Sequence, residues 1–154
     1  MKTVVVDTNI FVLLVIGLID PNLIKSNKRT SIYTIEDFHF LLKLIGDLGK
    51  IRTSPNIWTE IDNLLNKLTL ENKYKYVHII KLIADKSHEL YYESNKVIEF
   101  WEFAQIGLTD TVILTMSKNA DLLISGDSSL CDIAKSQSIP VFDFKEYVNK
   151  RLLS

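Results

Sequence analysis

The chain reads as an α/β protein, a three-layer α/β/α domain around a mostly parallel central sheet. Three observations predict this. Short strand-like runs ("KTVVV", "KIRTS", "ADLLIS", "IPVFDF") alternate with longer stretches whose apolar residues recur at helical spacing. The first run is apolar at successive residues, the pattern of a strand covered on both faces. Repeated strand-then-helix order also favours parallel neighbours joined by right-handed crossovers. With 154 residues, 47% of them hydrophobic, one domain over residues 1–154 is expected.

Taken in order, "KTVVV" is the first strand and "NIFVLLVIGLI" the first helix, long and apolar enough to be buried. "DPNLIKSNKRTS" reads as an exposed loop. "TIEDFHFLLKLIGDLG" follows as a helix with Thr34 as its N-cap, Glu36 and Asp37 in its first turn, and Gly49 ending it. "KIRTS" is the second strand, and "SPNIWTEIDNLLNKL" a helix opened by Ser54 with Pro55 in its first position. From about Thr69 to Phe103 the spacing of Tyr76, Ile79, Ile80, Ile83 and Ala84 predicts one long amphipathic helix, followed by a segment around "SHELYYESNKVIEF" with no clear pattern. Gly107 and Thr109 signal the start of a helix in "GLTDTVILTMSKN". "ADLLIS" is then a strand leading into "GDSSL", "IPVFDF" another strand, and "KEYVNKRLL" a terminal helix.

Composition narrows the function classes. A net charge of -1 and a pI near 6.3 advertise no particular partner. The single cysteine, Cys131, excludes an intramolecular disulfide and a cysteine-built zinc site, which fits a reducing, cytoplasmic setting. The apolar opening superficially suggests a secretory leader. Asp7 and Asn9 split it, however, no small-x-small cleavage pattern follows, and the run Ile10–Ile19 falls well short of the ~20 residues that span a bilayer, so no membrane association is expected.

Asp7 poses the functional question, because a carboxylate inside an apolar run is costly unless something satisfies it. In an open parallel sheet the carboxyl ends of the strands share one edge, and sites form there. Asp7 ends the first strand. Asp127 follows "ADLLIS", past Gly126. Glu60 lies little more than a helical turn beyond the second strand, and Asp110 opens the helix before the Asp127 strand. Four carboxylates converging in this way call for a hard cation, Mg²⁺ or Mn²⁺, which prefers oxygen ligands. Such an ion acidifies water and neutralises charge on a phosphodiester, which points to phosphoryl chemistry. The competing structural reading is that an aspartate at a strand end merely caps the next helix.

The stretches "VVVDTNIF", "SPNIWTEI", "GLTDTVIL" and "LLISGDSSL" with "PVFDF" after it resemble, in order, the successive motifs of the PIN-domain ribonucleases, over nearly the whole chain. The resemblance implies a PIN-like fold and metal-dependent endonucleolytic cleavage of RNA. Asp7, Glu60, Asp110 and Asp127 would be the catalytic and metal-binding acids, and Asn9 and Ser125 the polar residues supporting them. It also implies that the chain could be the toxin of a toxin–antitoxin pair, related to the VapC-like toxin ribonucleases, neutralised by a protein partner and homodimeric. The loop cations Lys25, Lys28 and Arg29 are candidates to hold RNA phosphates beside the acids. The alternative is a non-catalytic PIN-fold module binding RNA or protein. A phosphatase or phospho-acceptor domain fits less well, since Asn9 stands where such phosphatases usually carry a second acid. His39, His78 and His88 lack ligand-like spacing. Trp58 and Trp101 could stack bases but fit a core or interface better.

Overall fold

A computed structural model describes residues 2–153. Strands β1 (Val4–Val6), β2 (Ile51–Thr53), β3 (His88–Glu89), β4 (Leu122–Ser125) and β5 (Val141–Asp143) form one sheet in the order β3-β2-β1-β4-β5. Every neighbouring pair is parallel. Helices α1 (Thr8–Ile19), α2 (Ile35–Ile45), α3 (Pro55–Leu64), α4 (Leu70–Lys86), α5 (Ser94–Val97), α6 (Phe103–Ser117), α7 (Ser128–Ser136) and α8 (Phe144–Leu153) flank it, giving the three-layer α/β/α architecture. Central β1 is fully buried, as its unbroken valine run requires.

Helix α1 is the hub. From Thr8 to Gly17 every residue except Asn9 is buried, and α2, α3 and α4 all pack on it. Gly17 makes room for α2, because a Cβ there would overlap the Phe38 ring. At its start α2 carries a full capping box. The Thr34 hydroxyl accepts from the Asp37 N–H at 3.1 Å, and Asp37 accepts from the Thr34 N–H at 2.9 Å. Buried Asp37 also takes the Arg151 guanidinium at 2.7 Å, tying α8 to α2.

Several boundaries depart from the sequence expectations. Helix α2 ends at Gly46, which adopts φ +81°, and Gly49 belongs instead to a 3-10 turn, Leu48–Lys50. The loop after α1 is partly buried: Ile24 and Thr30 are inside, and the Thr30 hydroxyl donates to the Ile24 carbonyl at 2.6 Å. The patternless segment after α4 contributes β3, which pairs with β2 through two exposed, polar residues. Helix α6 starts four residues before Gly107 and breaks there, at φ +81° and ψ 178°, before resuming. Among the described residues no helix is long and apolar enough to cross a membrane.

Candidate active site

From β1 the chain builds outward through β2 to β3, then returns to place β4 on β1's other side and β5 beyond it. The direction of winding reverses between β1 and β4, and a crevice opens at the carboxyl ends of such a pair. Asp7 and the segment Ser125–Asp127 both lie there. Pairing continues to the lip, where the Asp7 N–H donates to the Ile124 carbonyl at 2.9 Å.

Asp7 stands at the N-cap of α1, yet its side chain makes no capping bond. Its Oδ2 instead accepts the Ser125 hydroxyl at 2.6 Å, and the Ser125 Oγ in turn accepts the Asp127 N–H at 3.0 Å. The usual capping bond is thus absent at Asp7, although the Thr8 backbone N–H also helps to lower its carboxyl. Capping holds in part for Asp127, whose Oδ1 accepts the Leu130 N–H at 3.0 Å and opens α7. Glu60 reaches in from the second turn of α3, and its Oε1 accepts the Thr8 hydroxyl at 2.7 Å. Asp110 follows the break at Gly107, which redirects α6, and its carboxylate receives no hydrogen bond from the described residues.

All four acids line one cavity of about 320 Å³, together with Thr8, Asn9, Asn63 and Leu64. None forms an ion pair among the described residues. Burial pushes the Asp7 carboxyl up to about 6 against the Ser125 hydrogen bond that lowers it, and Asp127 and Glu60 add repulsion. Asp110 is pushed up to about 7, first by burial and then by the charges of Asp7, Asp127 and Glu60. The pocket is a concentration of negative charge with no internal counter-charge.

Asn9 is exposed and lines the cavity but, among the described residues, hydrogen-bonds to none of the acids, whereas Thr8 bonds to Glu60. Sequence reasoning passed over Thr8 and Asn63. Thr8 offered only its adjacency to Asp7, and Asn63 only its place three residues after Glu60, on the same helix face. Ser125 stands where expected, backed by the Cys131 thiol, which points at its carbonyl at 3.7 Å. Lys28 and Arg29 line a second groove beside the acid cavity. Lys25 does not, and its ammonium donates to the Ser31 carbonyl at 3.3 Å. Trp58 packs edge-on against Phe11 at 5.3 Å, a core contact, while Trp101 is exposed and lies outside the cavity.

The donor set is all oxygen, carboxylates rimmed by amides and a hydroxyl, which fits Mg²⁺ or Mn²⁺ and no thiolate- or imidazole-seeking metal. Among the described residues no group of three or more His, Cys, Asp or Glu side chains is placed to hold a metal ion. No protein-family model matches the chain, and no curated protein matches it.

Proposed function

We propose that this chain is a metal-dependent endoribonuclease of the PIN-domain type, hydrolysing RNA phosphodiesters in the cavity of Asp7, Glu60, Asp110 and Asp127. The observation that carries the reading is the convergence of four carboxylates, from β1, α3, α6 and the β4–α7 junction, on one cavity with no cationic partner among the described residues. A site that only capped helices would leave Asp7 to the α1 amides; here its Oδ2 accepts the Ser125 hydroxyl from across the sheet edge. Two of the acids are held away from their ordinary ionisation by burial and mutual repulsion, a cost that a cation would relieve.

When bound, Mg²⁺ or Mn²⁺ supplies neutralisation of the phosphodiester and a water acidified to attack it. The chain's own residues supply the positioning. Ser125 Oγ fixes Asp7 Oδ2, and Thr8 Oγ1 fixes Glu60 Oε1, so one oxygen of each carboxylate is held in place. Asn9 and Asn63 place neutral amide donors at the rim, where non-reacting phosphoryl oxygens would meet them. Hydrolysis puts the water oxygen on phosphorus, breaks one P–O bond to ribose and releases two RNA ends.

The test is incubation of wild-type protein and Asp7→Asn with a pool of structured RNAs, in Mg²⁺, Mn²⁺ or EDTA, with mapping of new ends. Cleavage that requires metal and disappears in Asp7→Asn is the expected result. Metal-dependent turnover by Asp7→Asn equal to wild type would overturn the assignment of the site. Absence of cleavage by folded wild-type protein across the pools would favour the non-catalytic, RNA- or protein-binding alternative. Within the nuclease reading, the narrower proposal is a toxin acting in the cytoplasm, held in check by an antitoxin protein and working as a homodimer. Growth arrest on expression of wild type but not of Asp7→Asn is expected for a toxin, and unimpaired growth with active enzyme would exclude it.

A further inference from the structure

Beside the acid cavity lies a second groove of about 280 Å³, lined by Asn27, Lys28 and Arg29 on one side and by Asn66 and Lys67 on the other. Leu64 borders both cavities, so the groove continues the acid pocket along the end of α3. From Glu60 to Leu64 is about one helical turn, roughly 6 Å of rise, and Lys67 lies three residues further on. The three cations are exposed, and their side chains make no ion pair or hydrogen bond among the described residues.

The groove is built rather than loose. Lys28 and Arg29 ride on a turn in which the Asn27 side chain accepts the Arg29 N–H at 2.9 Å, and fully buried Ile24 and Thr30 anchor its two ends. Opposite, buried Leu65 anchors the turn that carries Lys67. A negative pocket opening directly onto a positive channel matches a substrate whose reacting phosphate sits among cation-charged carboxylates while its neighbouring phosphates need counter-charge.

We infer that single-stranded RNA leaves the acid cavity across Leu64 and lays its flanking phosphates between Lys28, Arg29 and Lys67. This rests on the nuclease reading for the choice of RNA, and it adds Lys67 to the substrate-binding set while removing Lys25. Since these cations neutralise phosphates without touching the reacting one, they govern binding rather than the chemical step.

The test measures binding of a fluorescently labelled 12-nucleotide single-stranded RNA of mixed sequence by anisotropy, in EDTA, between 50 and 300 mM NaCl. Each phosphate contact contributes about 0.7 to the slope of log K against log salt, so three contacts give a contribution of about 2. Lys28→Ala/Arg29→Ala/Lys67→Ala is expected to remove that contribution and to weaken binding at least about tenfold at low salt. Lys145→Ala, which removes one charge from α8, should leave the slope unchanged. Cleavage of the same RNA by Arg29→Ala or Lys67→Ala should show a raised KM with kcat retained. An unchanged slope in the triple variant overturns the proposal, as does equally tight, groove-dependent capture of a 12-residue polyglutamate peptide. Because binding is read without metal, failure of the groove is separable from failure of the nuclease, which the Asp7→Asn cleavage assay reports alone.

Discussion

Two hydroxyls decide how the acids are presented. Ser125 donates to Asp7 at 2.6 Å and Thr8 to Glu60 at 2.7 Å, each fixing one carboxylate oxygen. Removing such an orienting group usually costs about 10–100-fold in metal affinity or activity. Ser125→Ala and Thr8→Val are therefore expected to lower metal-dependent cleavage by that order while staying folded, and Thr8→Ser to restore it; steady-state kinetics with circular dichroism as the fold control would show it. Ser125→Ala should also move the acidic limb of the pH–rate profile upward, because the Ser125 hydrogen bond, ahead of that from the Thr8 backbone, lowers Asp7 against its burial. A different residue-scale effect belongs to Arg151. Its guanidinium meets a fully buried Asp37, so Arg151→Ala strands a carboxylate in the interior and should cost about 2–3 kcal/mol in urea unfolding. Activity in the folded fraction should be retained, since that pair lies outside the acid cavity.

At the scale of elements, two glycines do different work. Gly17 lets α2 approach α1, and any side chain there meets the Phe38 ring head-on, so Gly17→Ala should destabilise by about 1–3 kcal/mol through overpacking and lower Tm. Gly107 has open space where a Cβ would go, so Gly107→Ala tests conformation alone. Its φ of +81° with ψ 178° lies in a region open essentially to glycine alone and costs an L-residue about 1–3 kcal/mol, and relief of that strain would straighten the break before Asp110. The expected signature is a modest loss of stability with a disproportionate loss of metal-dependent cleavage. Equal effects of the two glycine variants on cleavage per folded molecule would show that the break does not serve the site.

For the whole molecule, the charge concentrated at one sheet edge makes stability depend on pH in a stated direction. Asp7 and Asp110 ionise near pH 6 and 7 in the folded chain but near 4 when unfolded. Between those values the folded state binds more protons, so the stability these two groups contribute without metal is full below about pH 4 and is lost as pH rises through about 6 and 7. Thermal melts in EDTA from pH 5 to 8 should show this decline on top of any contribution from other groups, and Asp110→Asn should flatten it. Adding Mg²⁺ or Mn²⁺ should raise Tm most at pH 8, where the ligands are already deprotonated, and least at pH 5. A Tm indifferent to both pH and divalent metal would contradict a cation site in this cavity.

Local signals settled most of the elements. The valine run of β1, the Thr34 capping box and the Ser54–Pro55 helix start are decided by nearest neighbours and lie where the sequence places them. The register of the acids was legible too, because a parallel sheet sends every strand's carboxyl end to one edge. Other features depend on contacts that sequence spacing does not encode. Strand β3 consists of His88 and Glu89, polar and exposed, and exists because the edge of β2 offers it backbone partners. The end of α2 fell to Gly46 rather than Gly49, since both glycines permit a stop and only the packing of the chain selects one. Thr8 and Asn63 line the acid cavity and Lys67 the neighbouring groove, which Lys25 does not line, because side-chain direction follows from how α1, α3 and the intervening loop meet. By itself the sequence determined the order of β1, β2, β4 and β5 with the main helices between them and delivered four carboxylates toward one edge, since periodicity and junction chemistry are local. Which neighbours hold those carboxylates, and which cations border them, was decided only in the tertiary structure, since both depend on residues far apart in the chain.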